Sequence, residues 1–145
     1  MFSYNKYLQY PINIKNKNPR LATIIATQYG GPNGELGASL RYLSQRYTMP
    51  NDVTKGLLTD IGVEELGHLE MVGTLVKQLS GGDCPDDWKK MGSWEYYADN
   101  GASVYPQSSQ GSPFSAASIA VTGDAITNLF EDLAADDTTS HSQQK

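Results

Sequence analysis

The sequence predicts an all-α protein built as a helical bundle. Two stretches, 35–47 and 53–79, repeat apolar residues every third or fourth position, and a third begins near Gly123-Asp124. Helix start and stop signals bracket the longest of them: Pro50-Asn51-Asp52 before it and Ser80-Gly81-Gly82 after it. On its apolar stripe sits a Glu-x-x-His pair, Glu65 and His68. That pair on the inward face of a four-helix bundle is a signature of di-iron and di-manganese carboxylate proteins.

Residues 1–18 read as an irregular arm with Tyr4, Tyr7 and Tyr10, then Pro11 and a polar Asn/Lys run. Such an arm packs on a neighbour or on its own domain. Pro19-Arg20 opens a short apolar segment, Leu21 to Gln28, which Gly30-Gly31-Pro32-Asn33-Gly34 breaks. Asn33 or a nearby residue is the expected cap of the next helix. That helix runs from Glu35 to Tyr47 through Leu36, Leu40 and Leu43, and Pro50 closes it. The following helix runs from about Val53 to Leu79. Its stripe reads Leu57, Ile61, Glu65, His68, Val72, Leu75 and Leu79, each step three or four residues, so these side chains share a face.

Residues 80–118 form a long Gly-, Pro-, Ser- and Asn-rich loop with scattered aromatics, Trp88, Trp94, Tyr96, Tyr97, Tyr105 and Phe114 among them. Short helical turns are expected near 86–91 and 94–97. The third helix passes through Ile126, Leu129, Phe130 and Leu133, and there the pattern dies. Residues 136–145 contain no apolar side chain and are expected to fray or be disordered. The expected domain is therefore 1–135, with a polar tail.

Composition narrows the function classes. The chain has 145 residues, 39% of them hydrophobic and 19% charged, enough for one core and too apolar for a disordered tail. Its net charge is −5 and it has no Lys/Arg cluster, which argues against nucleic acid or an anionic membrane surface. A single cysteine, Cys84, cannot make an internal disulfide. No apolar signal core or membrane-spanning stretch is present, so the expected place is the cytosol or an assembly inside the producing cell.

Glu65 and His68 interrupt an apolar stripe. A buried carboxylate or imidazole needs a partner. At positions i and i+3 the two can converge on one point, and a metal ion is one such point; a mutually satisfied pair is the plainer alternative. Glu35 is a third candidate. It lies beside the Leu36–Leu40–Leu43 line and equally suits a first-turn Glu favoured by the helix dipole, and periodicity does not choose. Glu64 lies four residues before His68 and can orient its ring or simply face water. Glu70 points away from the stripe.

Beyond these residues the sequence resembles a known family. Asn18-Pro19-Arg20-Leu21, then Gln28-Tyr29-Gly30-Gly31-Pro32-Asn33-Gly34-Glu35-Leu36, is similar to the start of the spore coat protein JC group, small members of the manganese-catalase family. So are Leu40 to Tyr47 and the run Leu57 to Met71, which contains Glu64-Glu65-Leu66-Gly67-His68. The resemblance covers residues 1 to about 135 and implies a ferritin-like bundle. It implies two manganese ions that disproportionate hydrogen peroxide to dioxygen and water. Carried over, Glu35 is a terminal ligand of the first metal, Glu65 bridges both metals, and His68 completes the first. Iron is the alternative metal, because the ligand types separate it poorly from manganese.

The second half departs from the family. Where the family has a ligand Glu after a stretch like Glu131-Asp132-Leu133-Ala134-Ala135, this chain has Asp136, one methylene shorter. Glu131 falls on another face. His141, in the polar tail, is too close to Asp136 to replace the family's second histidine, which a fourth helix supplies. The expectation is therefore a bundle lacking most of its C-terminal part. Either the gene is truncated or frame-shifted after residue 135, or a partner chain supplies the missing helix. Two functions compete: a catalase-like spore-coat enzyme, and an inactive structural coat component that contacts other coat proteins or itself through its aromatic arm and loop.

Overall fold

The structure, a computed structural model, describes residues 3, 5, 7–81, 104–109 and 111–142, with side chains through residue 135. Its elements are α1 (Pro19–Gly30), α2 (Glu35–Gln45), a 3-10 turn (Arg46–Thr48), α3 (Asp52–Ser80), a second 3-10 turn (Ala116–Ser118) and α4 (Ala125–Ser142). Among the described residues there is no strand, only an isolated bridge between Gln107 and Pro113.

The apolar segment after Pro19 is a full helix. Asn18 caps it, its Oδ1 accepting from Leu21 N–H at 3.1 Å, and Pro19 occupies the first helical position. At α2 the cap falls on the residue after Asn33. Gly34 holds the N-cap without a side-chain hydrogen bond, and Asn33 Oδ1 instead accepts from Arg41 Nη2 at 3.2 Å. The helix also stops earlier than its apolar spacing suggests, tightening into the 3-10 turn at Arg46. In α3 the start signal is Asn51, whose Oδ1 accepts from Thr54 N–H at 3.0 Å. The stop is Gly81, in the left-handed region at φ 72°, where a side chain is disfavoured.

α3 is the spine. Its N-terminal half packs against α2, where Tyr42, Met49 and Leu58 form a buried cluster with Ala38, Ile61 and Ala125 against it. Its C-terminal half packs against α1. There Asn18 N–H donates to Leu79 O at 3.0 Å, and a Cβ on Gly73 would lie 2.9 Å from the Tyr29 ring. At Gly62 α2 and α3 are in close contact. Ser39, fully buried, donates its hydroxyl to Gly62 O at 2.6 Å, and a Cβ on Gly62 would lie 2.8 Å from Leu43 Cγ. The buried positions of α3 are thus Leu58, Gly62, Val76, Leu79 and Ser80, while Leu57, at the head of the expected stripe, is 56% exposed.

The arm is tied along α3 rather than loose. Gln78 clasps it at both ends of its amide: Oε1 accepts from Ile14 N–H at 2.8 Å and Nε2 donates to Ile12 O at 3.0 Å. Tyr7 and Tyr10 stay exposed. Of the long loop, the described part returns to α1, with Ser109 N–H donating to Thr27 Oγ1 at 2.8 Å. The helical turns expected near 86–91 and 94–97 lie outside the described residues, as does Cys84.

α4 departs from the sequence expectation in two ways. Its helical backbone continues to Ser142, where the loss of apolar residues after 135 suggested an end. Once a helix is nucleated, each added residue gains a backbone hydrogen bond, so a polar run can prolong it without burying anything. It also presents polar residues inward. Asn128 (0% exposed) and Asp132 (6%) are buried, while Ile126, Phe130 and Leu133 are each about two-thirds exposed at 68, 68 and 65%. Gln45 Nε2 ties α2 to α4 through Asp132 Oδ1 at 2.9 Å, and Asn128 Oδ1 accepts from both the backbone and the hydroxyl of Thr122.

Paired glycine variants test the α2–α3 approach. Gly62→Ala should destabilise the protein by about 1–3 kcal/mol, because the methyl overpacks Leu43. Gly56→Ala, exposed and with nothing within 4 Å of the new Cβ, should stabilise it by about 0.5–1 kcal/mol. Chemical denaturation of both variants reads the two signs.

Asp124 caps α4 by accepting from Thr127 N–H at 2.7 Å, and these hydrogen bonds hold its carboxyl below the ordinary 3.8. A depressed folded value means the cap's contribution is complete above 3.8 and is lost as pH falls through the lower folded value. Acid titration followed by amide exchange at the start of α4 should show that loss in the native chain. Asp124→Asn, which keeps an acceptor without a titrating group, should not show it.

Candidate metal centre

Three candidate ligand side chains converge from two helices. Glu35 is the first residue of α2, and Glu65 and His68 lie one turn apart near the middle of α3. The Ser39–Gly62 contact lies one turn from each of these places, four residues after Glu35 and three before Glu65. The same close approach that fixes α2 on α3 therefore brings Glu35 to the Glu65–His68 turn.

One ligand atom from each of Glu35, Glu65 and His68 falls within 4.8 Å of the others. His68 Nδ1 lies 2.8 Å from Glu65 Oε2 and 3.7 Å from Glu35 Oε2. On the other side of the ring, Nε2 lies 3.9 Å from Glu64 Oε1. The side chains of Glu65, Glu35 and His68 are 16, 22 and 36% exposed, so the sequence expectation of a dry site is corrected to a partly open one. Glu65 continues the buried line of Leu58, Gly62 and Val76, and His68 stands at the edge of that line.

Burial pulls the His68 imidazole down, but the Glu65 hydrogen bond and the charges of Glu65, Glu35 and Glu64 outweigh it and hold His68 above the ordinary 6.5. Without a metal, the position between Nδ1 and the carboxylates suits a shared proton. A divalent cation suits it better, since it offsets the two carboxylates directly. Ligand bonds of about 2.1–2.4 Å let one ion span donors roughly 4.5 Å apart, which matches the observed cluster. A set of two carboxylates and one imidazole fits a first-row divalent ion of the manganese type.

The other residues weighed from sequence fall elsewhere. Asp136 is on the helical backbone of α4, one turn beyond Asp132, and its side chain, like that of His141, lies outside the described residues. Glu131 and Glu70 are exposed. Sequence reading missed the buried polar residues of this part of the fold, Gln45 with Asp132 and Asn128 with Thr122. Their signal was present in the spacing: Asn128 and Asp132 stand four apart, one turn above the other, on a single face.

Comparisons with known proteins identify the family. A profile described as manganese containing catalase matches residues 1–145. The chain belongs to the manganese catalase family. Protein CotJC of Bacillus subtilis (strain 168) is 44% identical over 137 residues, covering 94% of this chain and 72% of that protein. A probable manganese catalase of Clostridium acetobutylicum is 33% identical over 138 residues, covering 94% of this chain and 61% of its own length. The crystal structure of KatB, a manganese catalase from Anabaena, superposes with a TM-score of 0.87 at 31% identity over 99% of this chain and 64% of that one. The fold is thus the ferritin-like fold of manganese catalases, and the chain spans somewhat under two-thirds of the KatB chain.

Metal addition gives a direct check. Mn2+ at about 100 times its dissociation constant should stabilise the chain by about 2.7 kcal/mol. His68→Ala and Glu65→Ala should each abolish the shift in thermal melts, and Glu70→Ala should leave it intact.

Proposed function

We propose that this chain is a manganese catalase-like protein of the spore coat, in which Glu35, Glu65 and His68 hold manganese. The convergence of these three donors within 4.8 Å carries the reading. Family membership supports manganese as the metal and hydrogen peroxide as the substrate, and the likeness to CotJC supports the spore coat. Among the described residues no helix is long and apolar enough to cross a membrane.

In this reading, a pair of manganese ions supplies the redox cycle that converts two peroxide molecules to dioxygen and water. The protein's part is placement. Glu65 contributes two oxygens on the rigid middle of α3 and is the carboxylate that can serve two ions. Glu35 closes the α2 side, and His68 presents Nδ1 from the next turn. Asp136 is the proposed fourth ligand.

A second reading is a structural coat component with a vestigial or structural metal. The outward apolar stripe of α4, Ile126, Leu129, Phe130 and Leu133, favours it, because exposed apolar stripes mark assembly surfaces.

Metal content and oxygen release on the purified chain separate the two. The enzyme reading expects two manganese ions per chain, oxygen evolution from peroxide, and loss of both in His68→Ala. It also expects Asp136→Ala to lower metal content, and Asp136→Glu to match or exceed the native chain. One ion or none, with no oxygen evolved, supports the structural reading.

A further inference from the structure

His68 is bracketed on both ring nitrogens. Nδ1 faces Glu65 and Glu35, and Nε2 faces Glu64 at 3.9 Å. A neutral imidazole carries one proton, so a nitrogen that binds metal must leave that proton on the other. If Nδ1 is the ligand atom, as its position between two carboxylates requires, the proton belongs on Nε2. Among the described residues, Glu64 is the acidic group facing it.

Glu64 is well placed for this. It stands four residues before His68, so the two side chains lie on one strip of the same helix. The separation is longer than a hydrogen bond but within the span that one bridging water closes. Water reaches it: the Glu64 side chain is 55% exposed and lines a groove of about 620 Å³ between α3 and the N-terminal arm, together with Ser3, Gln9, Asp60 and Gly67.

We propose that Glu64 is a positioning residue for the metal centre. Through one groove water it accepts the hydrogen bond of His68 Nε2–H, and so keeps Nδ1 unprotonated and aimed at the space shared with Glu35 and Glu65. This rests on the metal reading of that space. Glu64 touches no metal in this role; it acts through the ring, and its removal leaves all three ligands in place.

The test uses Zn2+ as a diamagnetic probe, with Mn2+ in parallel, on the full chain. Long-range proton–nitrogen correlation of labelled protein reports which His68 nitrogen carries the proton, with His141→Gln used to assign the signal. The native chain with Zn2+ should show the Nε2–H form. Glu64→Ala should weaken Zn2+ and Mn2+ about tenfold or more, the usual effect of losing such a partner. Glu64→Gln, whose amide oxygen still accepts, should recover most of that loss, and Glu70→Ala should bind as the native chain does.

Unchanged affinity in Glu64→Ala would overturn the proposal. So would a Glu64→Gln variant as weak as Glu64→Ala, which would point to charge alone. If the native chain itself binds neither ion, the metal reading falls and this proposal with it. That result is distinct from native binding left untouched by the Glu64 variants.

Discussion

The close approach of α2 to α3 at Ser39 and Gly62 is the constraint on which the rest of the structure depends. Two helices carrying ordinary side chains at their contact stay roughly 8–10 Å apart. At Gly62 there is no side chain, Leu43 fills the space, and Ser39 donates across the gap to a main-chain carbonyl. Glu35 is placed by this contact, being one helical turn from Ser39. If the helices were pushed apart there, Glu35 would move from His68 while Glu65 and His68, on the same helix, stayed together. The three-residue cluster is therefore a tertiary feature, and the Glu65–His68 pair is a local one.

That division explains what is tolerated electrostatically. Glu65 and His68 satisfy each other within one turn, so α3 can form before anything docks on it. Bringing Glu35 to the same point adds a second carboxylate, a like charge whose cost falls on the α2–α3 contact. When protonated, the imidazole offsets part of it, and partial exposure offsets more through solvent. A divalent ion would offset it more completely. Metal binding and helix docking then favour each other, because the same displacement of α2 weakens both.

How much of this was legible in the sequence follows from the same distinction. Local features were readable: the i, i+3 spacing of Glu65 and His68, the Asn51 cap and the Gly81 stop of α3 all act through neighbours in the chain. The family resemblance added Glu35, which periodicity alone left undecided. What could not be read was which stripe of α3 would be buried. The decisive position, Gly62, has no side chain and counts for nothing in an apolar pattern, so the apolar spacing runs through Leu57, which is exposed. α1 was read as a short apolar segment because its buried positions are small, Ala22, Ala26 and Gly30. The extension of α4 to Ser142 was hidden for the opposite reason: helix propagation needs no apolar face.

α4 shows what happens when local pattern and tertiary placement disagree. Its apolar residues Ile126, Leu129, Phe130 and Leu133 recur at spacings that would make a core-facing stripe, yet they face outward while Asn128 and Asp132 face in. Hydrophobic burial therefore contributes little to holding α4 on the bundle. The Gln45–Asp132 hydrogen bond ties it there instead, while the Thr122–Asn128 bonds fold the preceding segment onto α4; a buried polar tie such as Gln45–Asp132 fixes register more than it adds stability. Gln45 Oε1 and Asn128 Nδ2, buried without hydrogen-bond partners among the described residues, reduce the net gain further. α4 is thus held in a defined register by weak net energy, with its apolar stripe exposed. An element so arranged is the first expected to open locally, and the one whose stability rises most when a second surface covers it.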